Sequence, residues 1–285
     1  MPPITLLQVS QLSVAVPGRG RRCSLLLTDA DFTLAVGETL AVVGPSGGGK
    51  STLLKAILGL LPFTAGAMHY RGERITRPLD AAHRRLRRAA QPVFQNPLAA
   101  LNPYATLHDA IAEPLLAFGI TAPQRRERTL ALAASMGLDQ QVLSRRPHQV
   151  SLGQCQRACI ARACITDPEL LLLDEPLSAL DAVVQRQVAE LLIRLRQRSQ
   201  ASMILVSHDL RIVRHLADRV ALIDAGRVLE LAPVERFFAA PQHPQAQALV
   251  ACEARRAALR TLANQKHQAA WPDQRLSPRT VETQA

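Results

Sequence analysis

The stretch ETLAVVGPSGGGKSTLLKAILG, residues 38–59, decides the fold class of this 285-residue chain. Its apolar run Leu40–Val43 predicts a buried strand, and an amphipathic helix is predicted from about Ser51. Between them the pattern G-x-x-x-x-G-K-[ST] stands in the strand–loop–helix context that a phosphate-binding loop requires. A glycine-rich turn that matches by chance is the alternative, and it should arise in about one chain in a hundred of this length. We therefore predict a nucleotide-binding loop.

The residue types of this loop suit the phosphates of ATP. Glycines let backbone N–H groups close around phosphate oxygens, and the start of the following helix adds positive potential. Lys50 can reach the β- and γ-phosphates, while the hydroxyl of Ser51 is placed for Mg²⁺. The residues predicted to bind the nucleotide here are Gly44, Pro45, Ser46, Gly47, Gly48, Gly49, Lys50, Ser51 and Thr52.

A second stretch, ELLLLDEP at residues 169–176, predicts a central parallel strand that presents acids at its C-terminal end. Asp174 would hold Mg²⁺ through water, and Glu175 would polarise the water that attacks the γ-phosphate. An ordinary core strand capped by two acids is the alternative. Beside an intact phosphate-binding loop, the catalytic interpretation is the better one.

The bulk composition sets outer limits. No apolar run approaches the roughly 18 residues that span a bilayer, and the N-terminus lacks the pattern of a signal peptide, so the chain is expected to stay in the cytosol. Five cysteines without paired C-x-x-C spacing suit a reducing compartment. The formal net charge of +11 would suit nucleic acid, an anionic membrane leaflet or a solvated surface with no partner, and composition does not choose among them.

Four more motifs follow the phosphate-binding loop in order, and they are VFQNP (93–97), SLGQCQR (151–157), SALD (178–181) and SHD (207–209). With these motifs the chain resembles the ATPase subunits of ABC transporters from about residue 5 to residue 250. The resemblance implies an α/β fold: a P-loop NTPase ABC cassette with a parallel core sheet, an antiparallel β subdomain and an inserted helical subdomain. It also implies ATP hydrolysis, with ATP and Mg²⁺ as cofactors.

The resemblance assigns further residues to the site. Gln95, Glu175 and His208 are implied to be catalytic, with His208 on the γ-phosphate, and Ser51, Gln95 and Asp174 to hold Mg²⁺. In the family the SLGQCQR position carries the signature sequence, which starts a helix facing the nucleotide of the opposite subunit. Its residues here are Ser151, Gly153 and Gln154.

Domain boundaries follow from the same comparison. The ABC ATPase domain is expected over residues 4–238, with its helical subdomain at about 98–165. A C-terminal helical extension is expected over 239–264, and the polar, proline-bearing stretch 265–285 is predicted to be mostly disordered. ALIDAGRVLEL predicts a hairpin that turns at Ala225-Gly226.

Three departures from the family pattern stand out. Leu152 replaces the first of two family glycines, which should restrict the backbone and add bulk near a dimer interface, weakening the partner's site. Val16 stands near the position where the family stacks adenine on an aromatic residue. One helix cannot turn all three cysteines of the signature region, Cys155, Cys159 and Cys164, towards a single ion, so they are expected to be incidental to function. Cys159 and Cys164 are expected to be small core residues.

QNPLAALNP and the tail FFAAPQHPQAQALV (237–250) resemble the oligopeptide, dipeptide and nickel importers. The resemblance implies the ATP-hydrolysing subunit of an importer for nickel, a metal chelate or peptides. The short chain, without the cysteine-rich motif of some peptide importers, favours nickel or a metal chelate. Implied partners are a second, different ATPase subunit, two transmembrane permease subunits and an extracytoplasmic solute-binding protein, at the cytoplasmic face of the inner (plasma) membrane. No nucleic-acid partner is expected. The alternative is a soluble ABC ATPase of DNA repair or translation, which would need a long coiled-coil insertion or a second cassette.

Overall fold

The structure, a computed structural model, describes residues 3–17, 23–76, 80–178, 180–198 and 201–270. Within them the strands are β1 Thr5–Pro17, β2 Cys23–Ala35, β3 Thr39–Val43, β4 Ala65–Tyr70, β5 Glu73–Ile75, β6 Ala90–Val93, β7 Leu170–Asp174, β8 Ser202–Val206, β9 Arg219–Asp224 and β10 Arg227–Pro233. The helices are α1 Lys50–Ile57, α2 Ala81–Ala89, α3 Pro97–Ala100, α4 Leu107–Ala117, α5 Ala122–Ser135, α6 Gln140–Leu143, α7 Leu152–Cys164, α8 Ala182–Arg198, α9 Leu210–Leu216, α10 Val234–Ala239 and α11 Pro244–Ala270.

A six-stranded sheet in the order β10-β9-β3-β8-β7-β6 forms the centre of the first of two compact units, which ends at Ala240. Its strands β6, β7, β8, β3 and β9 are parallel, and β10 pairs antiparallel with β9. Every residue of β3, β7 and β8 is buried, as expected for strands covered on both faces. The carboxyl ends of these strands therefore share one edge, where α1 and the loops after β7 and β8 begin.

Alternate residues of β7 face two different cores. Leu170 and Leu172 belong to the apolar cluster shared with the antiparallel strands and α1, whereas Leu171 and Leu173 belong to the cluster shared with α4, α5, α7 and α8. This is the two-residue period of a strand whose two faces are both covered. The parallel sheet thus separates two layers with different architectures.

One layer is a four-stranded antiparallel sheet in the order β2-β1-β4-β5. The long pair β1 and β2 carries several register shifts, which bend it over the core. The other layer is helical and comes from α3 to α7, inserted between β6 and β7. Both layers agree with the predicted α/β cassette, and the hairpin of β9 and β10 turns at Ala225 and Gly226, whose φ angles are 46° and 75°.

The second unit starts at Pro241 and contains α11. This helix runs to Ala270, so the predicted disordered tail of 265–285 overlaps it by six residues. Residues 271–285 lie outside the described part of the chain. Among the described residues, no helix has both the length and the apolar character needed to cross a membrane.

Candidate functional site

The loop from Gly44 to Gly49 connects β3 to α1 and packs against the end of β9. Gly44 has φ of 143°, and a β-carbon there would lie 1.9 Å from the carbonyl oxygen of Ile223, so no other residue fits. Gly49 has φ of 105°, and its β-carbon would approach the Leu26 carbonyl oxygen to 2.8 Å. The glycines of the predicted motif are thus required by close backbone approach.

Lys50 is the first residue of α1 and is 6% exposed. Its ammonium group donates hydrogen bonds to the carbonyl oxygens of Gly44 (3.0 Å) and Pro45 (2.7 Å). Burial lowers the pKa of Lys50, and the carboxylates of Glu175 and Asp174 oppose that shift. The loop backbone therefore surrounds the Lys50 ammonium group. When a nucleotide binds, its phosphate oxygens would replace the Gly44 and Pro45 carbonyl oxygens as the partners of this cation.

A hydrogen bond between Ser51 and Asp174 joins the phosphate-binding loop to the C-terminal end of β7. The Ser51 hydroxyl donates to Asp174 Oδ1 at 3.0 Å, and Asp174 is 8% exposed at the end of β7. Burial raises the pKa of Asp174, and the Ser51 hydrogen bond works against that rise. A hydroxyl and one carboxylate suit Mg²⁺, which completes its shell with water and phosphate oxygens.

Glu175 is the meeting point of three sequence segments. Its Oε2 accepts a hydrogen bond from Gln95 Nε2 at 3.0 Å, and His208 Nδ1 lies 3.6 Å from the same oxygen. Gln95 also reaches the Ser178 hydroxyl at 3.5 Å. The amide of Gln95 is thus directed to Glu175, and its predicted second role, as a Mg²⁺ ligand with Ser51, stays a prediction.

The backbone of Glu175 is in the left-handed region, with φ of 48°. Such a conformation costs about 1–3 kcal/mol in a non-glycine residue and is found mainly at functional sites. The Glu175 N–H donates to the Val206 carbonyl (3.0 Å), and the Ser178 hydroxyl donates to the Glu175 carbonyl (3.1 Å). A cavity of about 30 Å³ lies beside the carboxylate, lined by residues that include Ser207 and His208, and it has room for one water molecule.

The predicted signature loop starts α7. Ser151 is its N-cap: its hydroxyl accepts from the Gln154 N–H (3.2 Å), and the Gln154 side chain accepts from the Ser151 N–H (2.9 Å). Gly153 is buried against α8, where a β-carbon would lie 2.4 Å from Val184 Cγ1. These contacts fix the loop; the nucleotide-binding roles of Ser151, Gly153 and Gln154 stay predictions.

Leu152 is the first residue inside α7 and is half-buried. Its backbone is helical, a conformation that any residue adopts, and the expected weakening of the partner's site stays a prediction. Its side-chain bulk at the start of the helix remains. Val16, near the predicted adenine position, pairs with Ser24 in β1 and β2.

The cysteines of α7 pack in the helical layer. The Cys155 thiol donates to the Pro147 carbonyl at 3.3 Å, and burial raises the pKa values of Cys159 and Cys164 to about 12. Thiols held protonated by burial make poor metal ligands and poor nucleophiles. Cys159 is a buried core residue as predicted, Cys164 is partly buried against the same apolar cluster, and Cys155 is buried as well.

One member of the site was missed by the sequence reasoning. Asp181 had been named only as part of the SALD motif, yet its Oδ1 accepts from the N–H groups of Val183 (3.1 Å) and Val184 (3.0 Å) and starts α8. An aspartate just before an apolar-periodic run is a signal for an N-cap and could have identified it. Asp181 thereby holds the helix against which Gly153 packs.

Comparison with known proteins agrees with this geometry. The family model described as ABC transporter matches residues 27–178. The chain is 42% identical over 216 residues to the oligopeptide transport ATP-binding protein OppF of Escherichia coli (strain K12), an alignment that covers 75% of this chain and 65% of that protein. It is 40% identical over 225 residues to the di/tripeptide transport ATP-binding protein DppF of Pseudomonas aeruginosa (strain UCBPP-PA14), covering 79% and 70%.

Solved structures of ATP-binding cassettes are similar to this chain. The dimeric structure of a post-hydrolysis state of the ATP-binding cassette MJ0796 bound to ADP and Pi superposes with a TM-score of 0.73 and 26% identity, covering 80% of this chain and 99% of that one. cbiO1 from Clostridium perfringens, described as part of the ABC transporter complex cbiONQ, gives a TM-score of 0.72 at 25% identity, covering 83% and 91%.

Proposed function

The chain belongs to the ABC transporter family, and on that premise we propose that it is the ATP-hydrolysing subunit of an importer that takes up peptides. One observation carries the hydrolytic part: the carboxylate of Glu175 receives the Gln95 amide and faces His208, beside a cavity of about 30 Å³. The Ser51–Asp174 pair and Lys50 lie at the same edge of the sheet. A base, a water-sized space and a phosphate-binding loop together suit hydrolysis of a phosphoanhydride.

Each group has a part in that reaction. The loop N–H groups and Lys50 hold the phosphates, and Lys50 exchanges its two carbonyl partners for phosphate oxygens. Mg²⁺, held by Ser51 and Asp174, would supply positive charge at the β- and γ-phosphates. Glu175 orients the attacking water from the cavity, and the exposed His208 contacts the γ-phosphate. Gln95 donates its amide hydrogen bond to the same carboxylate, so a change in the position of Glu175 during hydrolysis would break or weaken that bond.

The cargo and membrane partners are proposed from the relatives and from one surface. Of the three cargoes that the sequence left open, the relatives' names support peptides, and nickel and a metal chelate stay predictions. Directly after Gln95, Leu98 is 46% exposed and Tyr104 is 83% exposed. Two apolar side chains at the start of the inserted helical layer suit docking of a transmembrane permease subunit. Attachment to the cytoplasmic face of the membrane and delivery by a solute-binding protein follow from that role.

We also propose that the second ATPase subunit is a different chain. Leu152 adds a bulky side chain at the start of α7, whose N-terminus would face the nucleotide of the partner subunit. Because this chain keeps Lys50, Glu175 and His208, the weakened site would be the one whose phosphate-binding loop the partner supplies. Trapping labelled nucleotide in the assembled transporter tests this, and equal occupancy and turnover at both sites would contradict it.

The test of the proposed function is Glu175→Gln in the purified complex. Loss of a positioned base slows such reactions by about 10²–10⁴-fold, so ATP should bind normally while its hydrolysis falls by that factor. Glu169→Gln is the matched control, since this carboxylate precedes the other end of β7 and binds Arg71 and Tyr70. Unchanged turnover in Glu175→Gln would refute the assignment of the base.

The cargo needs a separate measurement. Cells that lack the gene would be complemented with wild-type or Lys50→Ala protein, and uptake of a radioactive dipeptide and of radioactive nickel compared. Dipeptide uptake restored only by the wild type is expected. Restored nickel uptake that excess peptide does not affect would overturn the peptide assignment and leave the ATPase assignment standing.

A further inference from the structure

A strongly basic surface lies outside the nucleotide site. Residues 71–88 contain seven arginines and two acids, and four of the arginines are on α2, a helix of nine residues. This segment comes between the antiparallel layer and β6, which leads to Gln95. None of its arginines belongs to the nucleotide site described above, so the nucleotide chemistry does not explain why so many arginines occur in this segment.

Helix α2 is held firmly at its N-terminal end. Asp80 is the N-cap: one carboxylate oxygen accepts from the His83 N–H (2.8 Å), and the other accepts from the Thr76 N–H (2.8 Å). The His83 ring is fully buried, and its Nε2 lies 3.1 Å from the Ile57 carbonyl at the end of α1. A β-carbon at Gly59 would lie 2.0 Å from that ring. The arginines of α2 therefore project from a fixed support.

The arginines occupy one side of this helix. Ala82, His83 and Leu86 are buried, while the exposed residues are Arg84, Arg85, Arg87 and Arg88. At about 100° per residue these four cover an arc of about 160°. The arginine face is thus a continuous surface a little over one turn long.

The two arginines at the last turn of α2 differ from the earlier ones in their surroundings. Arg85 pairs with Glu73, which is itself on the neighbouring strand β5. Within the described part of the chain, no carboxylate forms an ion pair with Arg87 or Arg88. Two guanidinium groups at the last turn therefore present their donors to solvent, where a planar fork suits phosphate oxygens.

An exposed leucine follows the glycine that packs against α2. Leu60 follows Gly59, the residue against which the His83 ring packs, and Leu60 is 53% exposed. Its N–H donates to the Lys55 carbonyl at 2.8 Å, so the loop after α1 is closed on its helix. A basic helix face with an exposed apolar side chain on the adjoining loop combines the two features that membrane-surface elements use.

We propose that the α2 basic surface, defined as Arg84, Arg85, Arg87, Arg88 and Leu60, binds the anionic headgroups of membrane lipids. The inference rests on the proposed function, which brings the chain to a membrane that permease subunits cross. Phosphate oxygens of lipid headgroups match the guanidinium forks, and the acyl boundary matches Leu60. A nucleic-acid backbone would match the arginines alone, and the surface has no aromatic side chain for stacking and no Asn or Gln for reading bases.

The test is co-sedimentation of the purified full-length protein with vesicles. Vesicles of phosphatidylcholine alone would be compared with vesicles containing 30% phosphatidylglycerol, at low and high salt. Each arginine near an anionic surface contributes about 5-fold to binding, so Arg87→Gln/Arg88→Gln should lower the affinity by about 25-fold. Arg126→Gln/Arg128→Gln is the matched control, because both side chains are exposed on α5 and the change in net charge is the same.

The outcomes separate the alternatives. The inference is supported if only the α2 pair loses binding to anionic vesicles while both variants keep wild-type ATP hydrolysis, which also separates this result from any failure of the proposed function. Equal loss in both pairs would mean that net charge alone is responsible. Absence of wild-type binding to anionic vesicles, or displacement of the protein from them by short duplex DNA with unchanged binding in Leu60→Ser, would overturn the assignment to lipid.

Discussion

Gly153 is the residue of the signature loop whose replacement has the most calculable effect. A β-carbon there would lie 2.4 Å from Val184 Cγ1, well inside contact distance, and 3.4 Å from Cγ2. Valine has a stiff χ1, so its methyl groups cannot move away without leaving the preferred rotamer. Gly153→Ala should therefore push α7 away from α8 at the point where Asp181 and Ser151 fix the two helix starts.

The expected magnitude follows from two opposing effects. Overpacking of this kind costs about 1–3 kcal/mol, and the better helix propensity of alanine returns up to about 1 kcal/mol. With a clash as short as 2.4 Å the cost lies in the upper part of its range, about 2–3 kcal/mol, and after the offset of about 1 kcal/mol the free energy of unfolding should fall by about 1–2 kcal/mol. For a domain of this size a change of 1 kcal/mol shifts the melting temperature by about 2–4 °C, so a decrease of about 2–8 °C is expected.

The assay is thermal unfolding, followed by circular dichroism, of four proteins that form a double-mutant cycle. Val184→Ala alone should cost about 1 kcal/mol, because two partly buried methyl groups are lost. In the double variant the alanine at 153 gains the space that Val184 leaves, so the two changes should cost less together than their sum, by about 1 kcal/mol or more. Additive effects, or a Gly153→Ala protein as stable as the wild type, would refute the steric reasoning.

Two other predictions follow from the pKa directions. Burial raises the pKa of Asp174, so its charge at neutral pH opposes folding; Asp174→Asn should raise the melting temperature of the nucleotide-free protein at pH 7 while abolishing ATP hydrolysis. That gain should shrink as the pH falls towards the unfolded carboxyl pKa of about 3.9, and a lower melting temperature at pH 7 would contradict it. Burial also raises the pKa of Cys159 to about 12, whereas Cys252 is exposed, so iodoacetamide should label Cys252 long before Cys159 in the native protein. Peptide mass spectrometry would measure both, and equal labelling rates would show that the helical layer opens readily.

The parts of the fold that sequence could predict are those set by short-range patterns. The glycines around Lys50 and the apolar strand before them define the phosphate-binding loop within a dozen residues. The hairpin at Ala225 and Gly226 is equally local, since a turn between two β patterns needs positive φ. The two-sided burial of β7 follows from its unbroken run of leucines.

Other features of the site depend on contacts between distant residues. The hydrogen bond from Gln95 to Glu175 joins positions 80 apart in the chain, and Gly153 is required by Val184, which lies 31 residues further on. The left-handed φ of Glu175 has no signature in a sequence, because any residue type can be forced into it by the hydrogen bonds around it. The family carries a glycine at the position of Leu152, but the structure places this residue in a helix, where the backbone does not require one.

The arrangement around Glu175 joins catalysis to the inserted helical layer. The Oε2 atom that His208 faces also accepts the Gln95 amide, and Gln95 is followed directly by Asn96, whose side chain caps α3 through the Leu98 and Ala99 N–H groups. A displacement of the helical layer therefore pulls on the residue that holds the carboxylate. Conversely, if Glu175 has the proposed role, turning its carboxylate towards a water in the adjoining cavity would break its hydrogen bond with Gln95. Under the proposed function, hydrolysis and the position of the layer that would dock on a permease would then be linked through one carboxylate oxygen, and a double-mutant cycle between Gln95 and Glu175 would measure that coupling.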